Sequence, residues 1–381
     1  MQPTLRFPEF KDEWSYNLFS NIVTNKSKKF NPSTEEATND IELDSIEQNT
    51  GRLLNTYMSN QFTSHKNIFN KNSVLYSKLR PYLNKYYYSQ IDGVCSSEIW
   101  VLNSLNKKIL SNKFLYYFIQ TNRFSSVANK SAGSKMPRAD WGLVENIRLY
   151  RGTIEEQEKI GEFFSKLDSQ IELEEKKLEL LDQQKRGYMQ KVFSQELRFK
   201  DENGNEYPEW KIKRIDDVYT VTRGYVLSKK EIKENIDSEY NYPVYSSQTS
   251  NNGLMGYYNK FLYENAITWT TDGANAGRVN FRSEKFYCTN VCGVLLSDEG
   301  YSNKCMSEKL NSIAYKYVSK VGNPKLMNNV MSNIKLAFPC LEEQAKISKL
   351  LILLDNLIDK QKIKVSQLKH RKQGLIQKMF V

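Results

Sequence analysis

Apolar residues recur in alternating steps of four and three along two long stretches of the chain, 154–193 and 341–380. Heptad spacing of this kind is typical of helices that pair along an apolar seam. The pattern therefore predicts two long helices that form a spacer interface. Its seam residues are Ile160, Phe164, Leu167, Ile171, Leu178 and Leu181 in the first stretch, and Ile347, Leu351, Leu354, Ile358, Val365 and Leu368 in the second.

The seams are interrupted at equivalent places. Glu174 and Gln361 occupy the same seam position in the two stretches. In an antiparallel pair with flush ends they would lie in neighbouring layers, where buried polar residues fix the register; half-exposed positions explain them equally well. Gly187 and Gly374 are also equivalent, and a glycine inside a helix costs about 1 kcal/mol. We expect either that the helices end there or that another backbone approaches closely.

The two stretches are copies of each other. Aligned at a constant offset of 187, they are identical at 15 of 40 positions without a gap. Such agreement indicates an internal duplication. A helix of 40 residues is roughly 60 Å long at 1.5 Å per residue. We therefore expect approximate twofold symmetry, with the helices acting as a spacer between two globular parts.

The rest of the chain carries fainter traces of the same duplication. Leu5-Arg6-Phe7 recurs as Leu197-Arg198-Phe199, and Glu13-Trp14 recurs as Glu209-Trp210. Apolar runs between turn residues predict strands at 73–76, 99–102, 266–269 and 293–296, and apolar spacing predicts helices at 113–119 and 310–317.

These elements predict an α+β fold. Two pseudo-twofold related globular bodies would be separated by two long antiparallel coiled-coil helices. The predicted division is a first body at 1–150, a first spacer helix at 151–195, a second body at 196–338 and a second spacer helix at 339–381.

Charge adds an expected class of partner. The chain of 381 residues has a net charge of +11. Residues 1–150 carry 19 basic and 13 acidic side chains, net +6, and residues 196–338 carry 19 and 17, net +2. An excess of this sign favours an anionic partner. The first helix has 7 basic and 10 acidic residues and the second has 9 and 4, so their charges are opposite, as in helices that lie against each other.

Several classes of protein are disfavoured. No window approaches 18 apolar residues and the N-terminus lacks the features of a signal peptide, so we expect a soluble cytoplasmic protein. The five cysteines form no CxxC pair, and only two histidines accompany them. We expect reduced, buried thiols and no metal site.

Polar loops that mix basic, amide and aromatic residues are candidates for contact with DNA. Arginine and lysine bind phosphates and guanine, whereas asparagine and glutamine bond bidentately to adenine. Any single stretch is more typical of an ordinary solvated loop, but together, on a basic and duplicated protein, these stretches favour contact with DNA. The candidates are Ser77, Lys78, Arg80, Tyr82, Lys85, Lys135 and Arg138 in the first body, and Arg223, Tyr225, Ser247, Gln248, Asn251, Asn252, Asn275, Arg278 and Lys325 in the second.

Candidate catalytic residues are missing from the sequence. It contains no GxxxxGK[ST] phosphate loop and no GxGxxG motif after a strand. The Asn-Pro-Pro-aromatic motif of an amino-methylating site is also missing, since Asn31-Pro32 is followed by Ser33. We expect no catalytic residues on this chain.

The duplicated motifs resemble those of the DNA-specificity subunits of type I restriction-modification systems, over essentially the whole chain. The resemblance rests on Glu-Glu-Gln at 155–157 and 342–344, on Leu-Asp at 167–168 and 354–355, and on the closing segments 185–193 and 372–380. Their order and duplication are more specific than any one of them.

The resemblance implies that each body is a target-recognition domain that reads one half of a bipartite site in double-stranded DNA. It implies recognition loops near 78–85, 135–138, 247–252, 275–278 and 325. Two modification subunits would bind S-adenosylmethionine and methylate adenine, and restriction subunits would use ATP and Mg²⁺. This chain would hold none of these cofactors.

Three alternatives remain open from the residues alone. An independent dimeric DNA-binding regulator would bind its site tightly without partners. A nuclease or methyltransferase with an unrecognised site would act on its own with Mg²⁺ or S-adenosylmethionine. A coiled-coil scaffold without a role on DNA is disfavoured by the positive charge of the first body.

Overall fold

The structure is a computed structural model that describes residues 1–130, 135–248 and 251–381. The chain forms two compact units. The first comprises Met1–Lys176 and Ile363–Val381, and the second comprises Lys177–Lys362. Each unit therefore contains one mixed α/β body together with part of each long helix.

The two long helices span Ile154–Phe193 and Leu341–Met379, 40 and 39 residues. Each begins with paired glutamates in its first turn and has a lysine in its last. Both placements are favourable for the helix dipole. The helices lie inside the ranges predicted for the spacers.

Inside the first unit the two helices run antiparallel. Lys372 pairs with Asp168 at 2.6 Å, and Lys369 pairs with Glu175 at 2.6 Å, so numbers rise along one helix as they fall along the other. In the second unit Lys185 pairs with Asp355 at 2.6 Å. This is the same ion pair with the roles of the helices exchanged, because each residue is offset by 187 from its counterpart.

The predicted seam residues face the interior of their units. Most are buried, and Leu167, Leu178, Leu181 and Leu368 are half-buried. The polar residues in the seam differ in their surroundings. Glu174 pairs with Lys364 in the first unit, and Gln361 is buried in the second.

The predictions for the two helical glycines were both wrong. The helices continue through Gly187 and Gly374, so neither glycine ends a helix. A Cβ built on either residue would meet no described atom within 4 Å. Within the described residues, close approach of another backbone therefore does not explain them.

The first body consists of antiparallel and mixed sheets with short helices. Val23–Thr24, Ile99–Ser104, Val74–Ser77 and Tyr86–Tyr88 form a four-stranded sheet in that order. Lys29–Phe30, Lys66–Phe69, Gly93–Cys95, Asn39–Ile41 and Tyr57–Met58 form a five-stranded sheet. Ser15–Leu18 pairs with Arg148–Arg151. The helices are Phe19–Ile22, Asn112–Phe118, Asn122–Ala128 and Trp141–Val144, with 3-10 turns at Ser59–Gln61 and Pro81–Leu83.

The second body repeats this plan. Thr220–Arg223, Cys292–Leu296, Ala266–Thr270 and Val279–Arg282 form a four-stranded sheet. Leu254–Tyr258, Tyr242–Tyr245 and Tyr287–Cys288 form a three-stranded sheet, and Lys211–Arg214 pairs with Lys335–Phe338. The helices are Lys304–Ala314 and Asn328–Ser332, with 3-10 turns at Ile215–Asp217, Lys229–Glu231, Asn251–Gly253 and Tyr315–Tyr317.

All four predicted strands and both predicted helices are present, with shifted ends. The strand Ala266–Thr270 is buried along its whole length, including the polar residues Thr268 and Thr270. The helix predicted from residue 310 begins at Lys304, where the Asn303 side chain caps it by accepting from the Met306 N–H, and its first turn already buries Cys305 and Met306.

Four cysteines are buried, and Cys340 is partly exposed; all are free thiols. The described ranges hold no cluster of three or more metal-binding side chains. Across the same ranges, no helix is both long and apolar enough to cross a membrane.

Candidate nucleic-acid interface

A buried carboxylate attaches each body to the start of a long helix. In the first unit Glu156 accepts hydrogen bonds from Arg6 at 2.7 and 2.8 Å and from the Trp14 indole at 2.9 Å. In the second, Glu343 accepts from Arg198 at 3.2 and 2.8 Å and from the Trp210 indole at 2.8 Å. Both glutamates are fully buried. The duplicated Leu-Arg-Phe, Glu-Trp and Glu-Glu-Gln motifs therefore meet in one structural feature.

The glutamine of each Glu-Glu-Gln motif makes a second attachment. Gln157 accepts from the backbone N–H of Ser111 at 3.0 Å, and Gln344 accepts from the Asn303 side chain at 2.7 Å. Ser111 and Asn303 each precede a helix of their body. These hydrogen bonds attach the start of a short helix of each body to the long helix of the same unit.

Two predicted recognition loops of the first body lie side by side. The Arg80 N–H donates to the Pro137 carbonyl at 2.8 Å, and the Ala139 N–H donates to the Lys78 carbonyl at 2.7 Å. Leu79 and Arg138 form an isolated β-bridge between these contacts. The structure therefore joins the loops 78–85 and 135–138 into one surface. Residues 131–134, which directly precede the second predicted loop, lie outside the described residues.

Four predicted side chains of this surface are exposed to solvent. Arg80, Tyr82, Lys135 and Arg138 are exposed, with 56% of Tyr82 accessible. Arg138 also pairs with Glu98 at 2.9 Å, and Lys78 is half-buried.

Ser77 and Lys85 are used inside the body. The Ser77 hydroxyl is buried and donates to the Leu79 carbonyl at 2.9 Å, and the Lys85 ammonium donates to the Leu43 carbonyl at 2.6 Å.

The second body has the same loop pair at equivalent positions. Asp272 and Lys325 form an isolated β-bridge. Two backbone hydrogen bonds flank this bridge. The Gly273 N–H donates to the Pro324 carbonyl at 3.0 Å, and the Leu326 N–H donates to the Thr271 carbonyl at 2.8 Å. Leu79 and Arg138 correspond to Asp272 and Lys325 at offsets of 193 and 187. Each unit thus presents one joined pair of loops.

Predicted residues of the second body also gather in a polar cluster, which we call the amide cluster. It comprises Gln248, Asn252, Asn275, Arg278 and Arg282. Arg278 donates to the Asn252 side-chain oxygen at 2.8 Å, and the Asn275 amide donates to the Gln248 carbonyl at 3.4 Å. Four of its members were predicted from the sequence.

Sequence reasoning missed Arg282. This residue ends the strand Val279–Arg282 and is only 9% exposed. Burial lowers the pKa of its guanidinium below the ordinary value for arginine. The run Val-Asn-Phe-Arg alternates in polarity, but alternation alone does not tell which face of a strand is covered. No sequence signal could have identified it.

The remaining candidates lie elsewhere on the second body. Arg223 and Tyr225 are exposed, and among the described residues neither side chain hydrogen-bonds to the amide cluster. Asn251 is exposed and Ser247 is half-buried. Thr249 and Ser250, which complete the predicted loop 247–252, are outside the described residues.

Comparison with known proteins agrees with this duplicated plan. The profile of the type I restriction modification DNA specificity domain matches the chain twice, over residues 18–183 and 207–369. The specificity subunit of the type I restriction enzyme MjaVIII from Methanocaldococcus jannaschii is 25% identical over 324 residues, which cover 74% of this chain and 72% of that protein.

Two further matches extend the comparison. The specificity subunit of the type I restriction enzyme MpnII from Mycoplasma pneumoniae is 35% identical over 147 residues, 38% of this chain and 43% of that protein. The chain therefore spans about half the length of such Mycoplasma pneumoniae relatives. A crystal structure of the S subunit of a type I restriction-modification system from M. genitalium has a TM-score of 0.64 at 17% identity, covering 100% of this chain and 99% of that chain. This last likeness shows the fold.

Proposed function

Because this chain belongs to the family of type I restriction modification DNA specificity domains, we propose that it recognises a bipartite DNA site, one half-site per body. The observation that carries the proposal is the repetition of one loop pair, with the bridge Leu79–Arg138 in the first body and Asp272–Lys325 in the second. A duplicated reading surface suits a target of two parts. The bridging residues differ between the bodies, which suits two different half-sites.

The surfaces supply the contacts that DNA recognition needs. Exposed arginine and lysine side chains bind phosphates and position the protein, whereas arginine and amide side chains distinguish bases in the major groove. The first body offers Arg80, Lys135 and Arg138, and the second offers the amide cluster with Lys325. The net charge of +11 supports association with DNA.

The chemistry would be carried by partner subunits. We infer that two modification subunits hold S-adenosylmethionine and methylate adenine in each half-site, and that restriction subunits use ATP and Mg²⁺ to cleave. The lack of nucleotide-binding and amino-methylating motifs in the sequence supports this division. Specificity would then reside in this chain and catalysis in its partners.

The test is single-molecule methylome sequencing of a methylation-free host that expresses this chain with its cognate modification subunit. We expect one bipartite motif with methyladenine in both halves. The modification subunit alone is the control and should leave the genome unmethylated. A soluble complex that methylates nothing would contradict the proposal and favour a stand-alone DNA-binding regulator. Methylation or cleavage by this chain alone would favour an enzyme instead.

A further inference from the structure

A turn of unusual backbone conformation lies within the amide cluster. Asn251, Asn252 and Gly253 have φ angles of 49°, 52° and 87°, three successive residues in the left-handed region. A Cβ on Gly253 would lie 2.7 Å from the Ser246 carbonyl oxygen, so only glycine fits. Left-handed residues rarely occur in succession because each is unfavourable for L-amino acids. Contacts from the surrounding body must therefore hold this turn.

The buried Arg282 makes such a contact from beneath. Its Nη2 donates to the Asn252 carbonyl at 2.7 Å, and its Nε donates to the Thr268 hydroxyl at 3.4 Å. The guanidinium lies 3.5 Å from the centre of the Tyr245 ring. No carboxylate in the described part of the chain lies within 4 Å of it. Tyr245 and, at longer range, Glu284 interact favourably with the charge of Arg282. Burying an arginine without a direct ion pair is nevertheless costly, which points to a role in holding the turn.

The left-handed turn also contacts an exposed arginine, Arg278. The side-chain oxygen of Asn252 accepts from Arg278 Nη2 at 2.8 Å. Arg282 thus contacts the backbone of Asn252, and Arg278 contacts its side chain. One residue connects a buried guanidinium to an exposed one.

The shape of the cluster determines how it can contact a ligand. Its interior offers only about 10 Å³, about the space of a single water molecule, so no base can enter. Recognition must use the exposed edge, where Arg278 carries several N–H donors and no acceptor. In the major groove guanine presents two acceptors, N7 and O6, whereas adenine presents one acceptor and one donor. The guanidinium of Arg278, which offers only donors, therefore matches guanine, whereas the amide side chains of the cluster carry both donors and acceptors.

We propose that Arg278 reads a guanine in one half-site and that Arg282 is a positioning residue, acting through Asn252 to hold Arg278 in place. This inference rests on the proposed function and adds to it one base and the residues that select it.

Among its described residues, the first body does not repeat this arrangement. Lys85 and Ser89 stand at the positions of Arg278 and Arg282, at the offset of 193. Lys85 donates to the Leu43 carbonyl and Ser89 donates to the Ile91 carbonyl, both inside the body. The proposal therefore concerns one half-site only, and the other half-site serves as an internal control.

The first test is the motif of the wild-type complex, from the methylome experiment above. A bipartite motif with no G·C pair in either half would overturn the guanine assignment while leaving the proposed function intact. No bipartite motif would instead overturn the proposed function.

The second test compares the variants Arg278→Ala, Asn252→Gly and Arg282→Lys in the same host. Glycine can adopt the left-handed backbone conformation of residue 252. Lysine at position 282 keeps the buried positive charge but lacks the planar guanidinium group. We expect each variant to relax one G·C position in the same half-site, with the other half and the gap unchanged. Lys260→Ala, an exposed lysine of the same unit, is the control and should leave every letter unchanged.

Binding by the purified complexes separates a base contact from a phosphate contact. Replacing the assigned guanine by 7-deazaguanine removes the N7 acceptor, and we expect wild-type binding to weaken roughly tenfold to a hundredfold. The Arg278→Ala complex should show no further loss on this DNA, and Arg282→Lys should add nothing to Arg278→Ala. Uniformly weaker binding to all sequences with unchanged letters would indicate a phosphate contact and overturn the proposal. Relaxation by Arg278→Ala but not by Arg282→Lys or Asn252→Gly would overturn the positioning role.

Discussion

At the scale of single residues, each half of this chain contains an equivalent buried carboxylate with equivalent partners. Glu156 and Glu343 each hold an arginine and a tryptophan, and all of these partners recur at equivalent places. A buried ion pair is not by itself stabilising, but leaving one member unpaired is costly. The repeated motifs are thus better explained by attachment of the bodies than by contact with DNA.

Replacing Glu343 by glutamine leaves the Arg198 charge without its buried carboxylate. We expect a loss of about 3 kcal/mol in the free energy of unfolding, from the range for removing one partner of such a pair. Urea unfolding followed by tryptophan fluorescence measures this loss, since the Trp210 indole donates a hydrogen bond to Glu343. The matched control is Glu342→Gln, because Glu342 is the exposed glutamate of the same helical turn. Equal, small effects of the two substitutions would show that the buried pair does not support this unit.

Asp355 gives the second unit a dependence on pH. Burial alone would raise the pKa of Asp355, but hydrogen bonds from Lys185 and Lys304 outweigh it and lower the pKa below the ordinary value. The stabilisation is therefore present above the unfolded-state pKa, about 3.9, and is lost as pH falls through the lower folded-state pKa. We expect Asp355→Asn to destabilise the chain at pH 7 and to differ progressively less from the parent below about pH 4. Urea midpoints across this range measure the effect; a difference that does not change with pH would contradict it.

At the scale of elements, the long helices were predictable because the heptad pattern is repeated over many turns. The strands of the four-stranded sheets were predictable because runs rich in apolar and β-branched residues, such as Ala266–Thr270, lie between turn residues. The loops were predictable only as classes of residue. That Lys85 binds a carbonyl of its own body, and that Arg282 is buried, depend on tertiary packing. No local pattern contains that information.

Gly187 and Gly374 lie inside the long helices, where glycine is less favourable than alanine, and no contact within the described residues compensates for this cost. Both lie in continuous helix with room for a methyl group. Alanine at either position should therefore raise the free energy of unfolding by about 0.5–1 kcal/mol. Thermal unfolding of Gly187→Ala and Gly374→Ala tests this, with Ser169→Ala, an exposed site inside the first long helix, as the comparison. Destabilisation by either glycine substitution would show that a contact at that site had been missed.

At the scale of the whole molecule, the division into units cuts across the helices. Each unit takes one part of each helix, so each contains its own ion pair between aspartate and lysine, Asp168–Lys372 or Asp355–Lys185. The chain passes between units twice, after Lys176 and after Lys362. A change confined to these two places leaves the contacts inside each unit as they are. The role of the helices as a spacer can thus be tested separately from the recognition surfaces.

We expect the insertion of four residues between Lys176 and Lys177, together with four between Lys362 and Ile363, to lengthen the non-specific gap of the DNA motif. Each insertion adds one helical turn, about 6 Å, and no residue of either loop pair changes. Methylome sequencing with the modification subunit should therefore report the same two half-sites further apart. The control is the same insertion at Gly204, in an exposed turn of the second unit, which should leave the gap unchanged. If the half-site letters changed while the gap stayed constant, the helices would not set the spacing, and the bodies would read the site by an arrangement that does not depend on helix length.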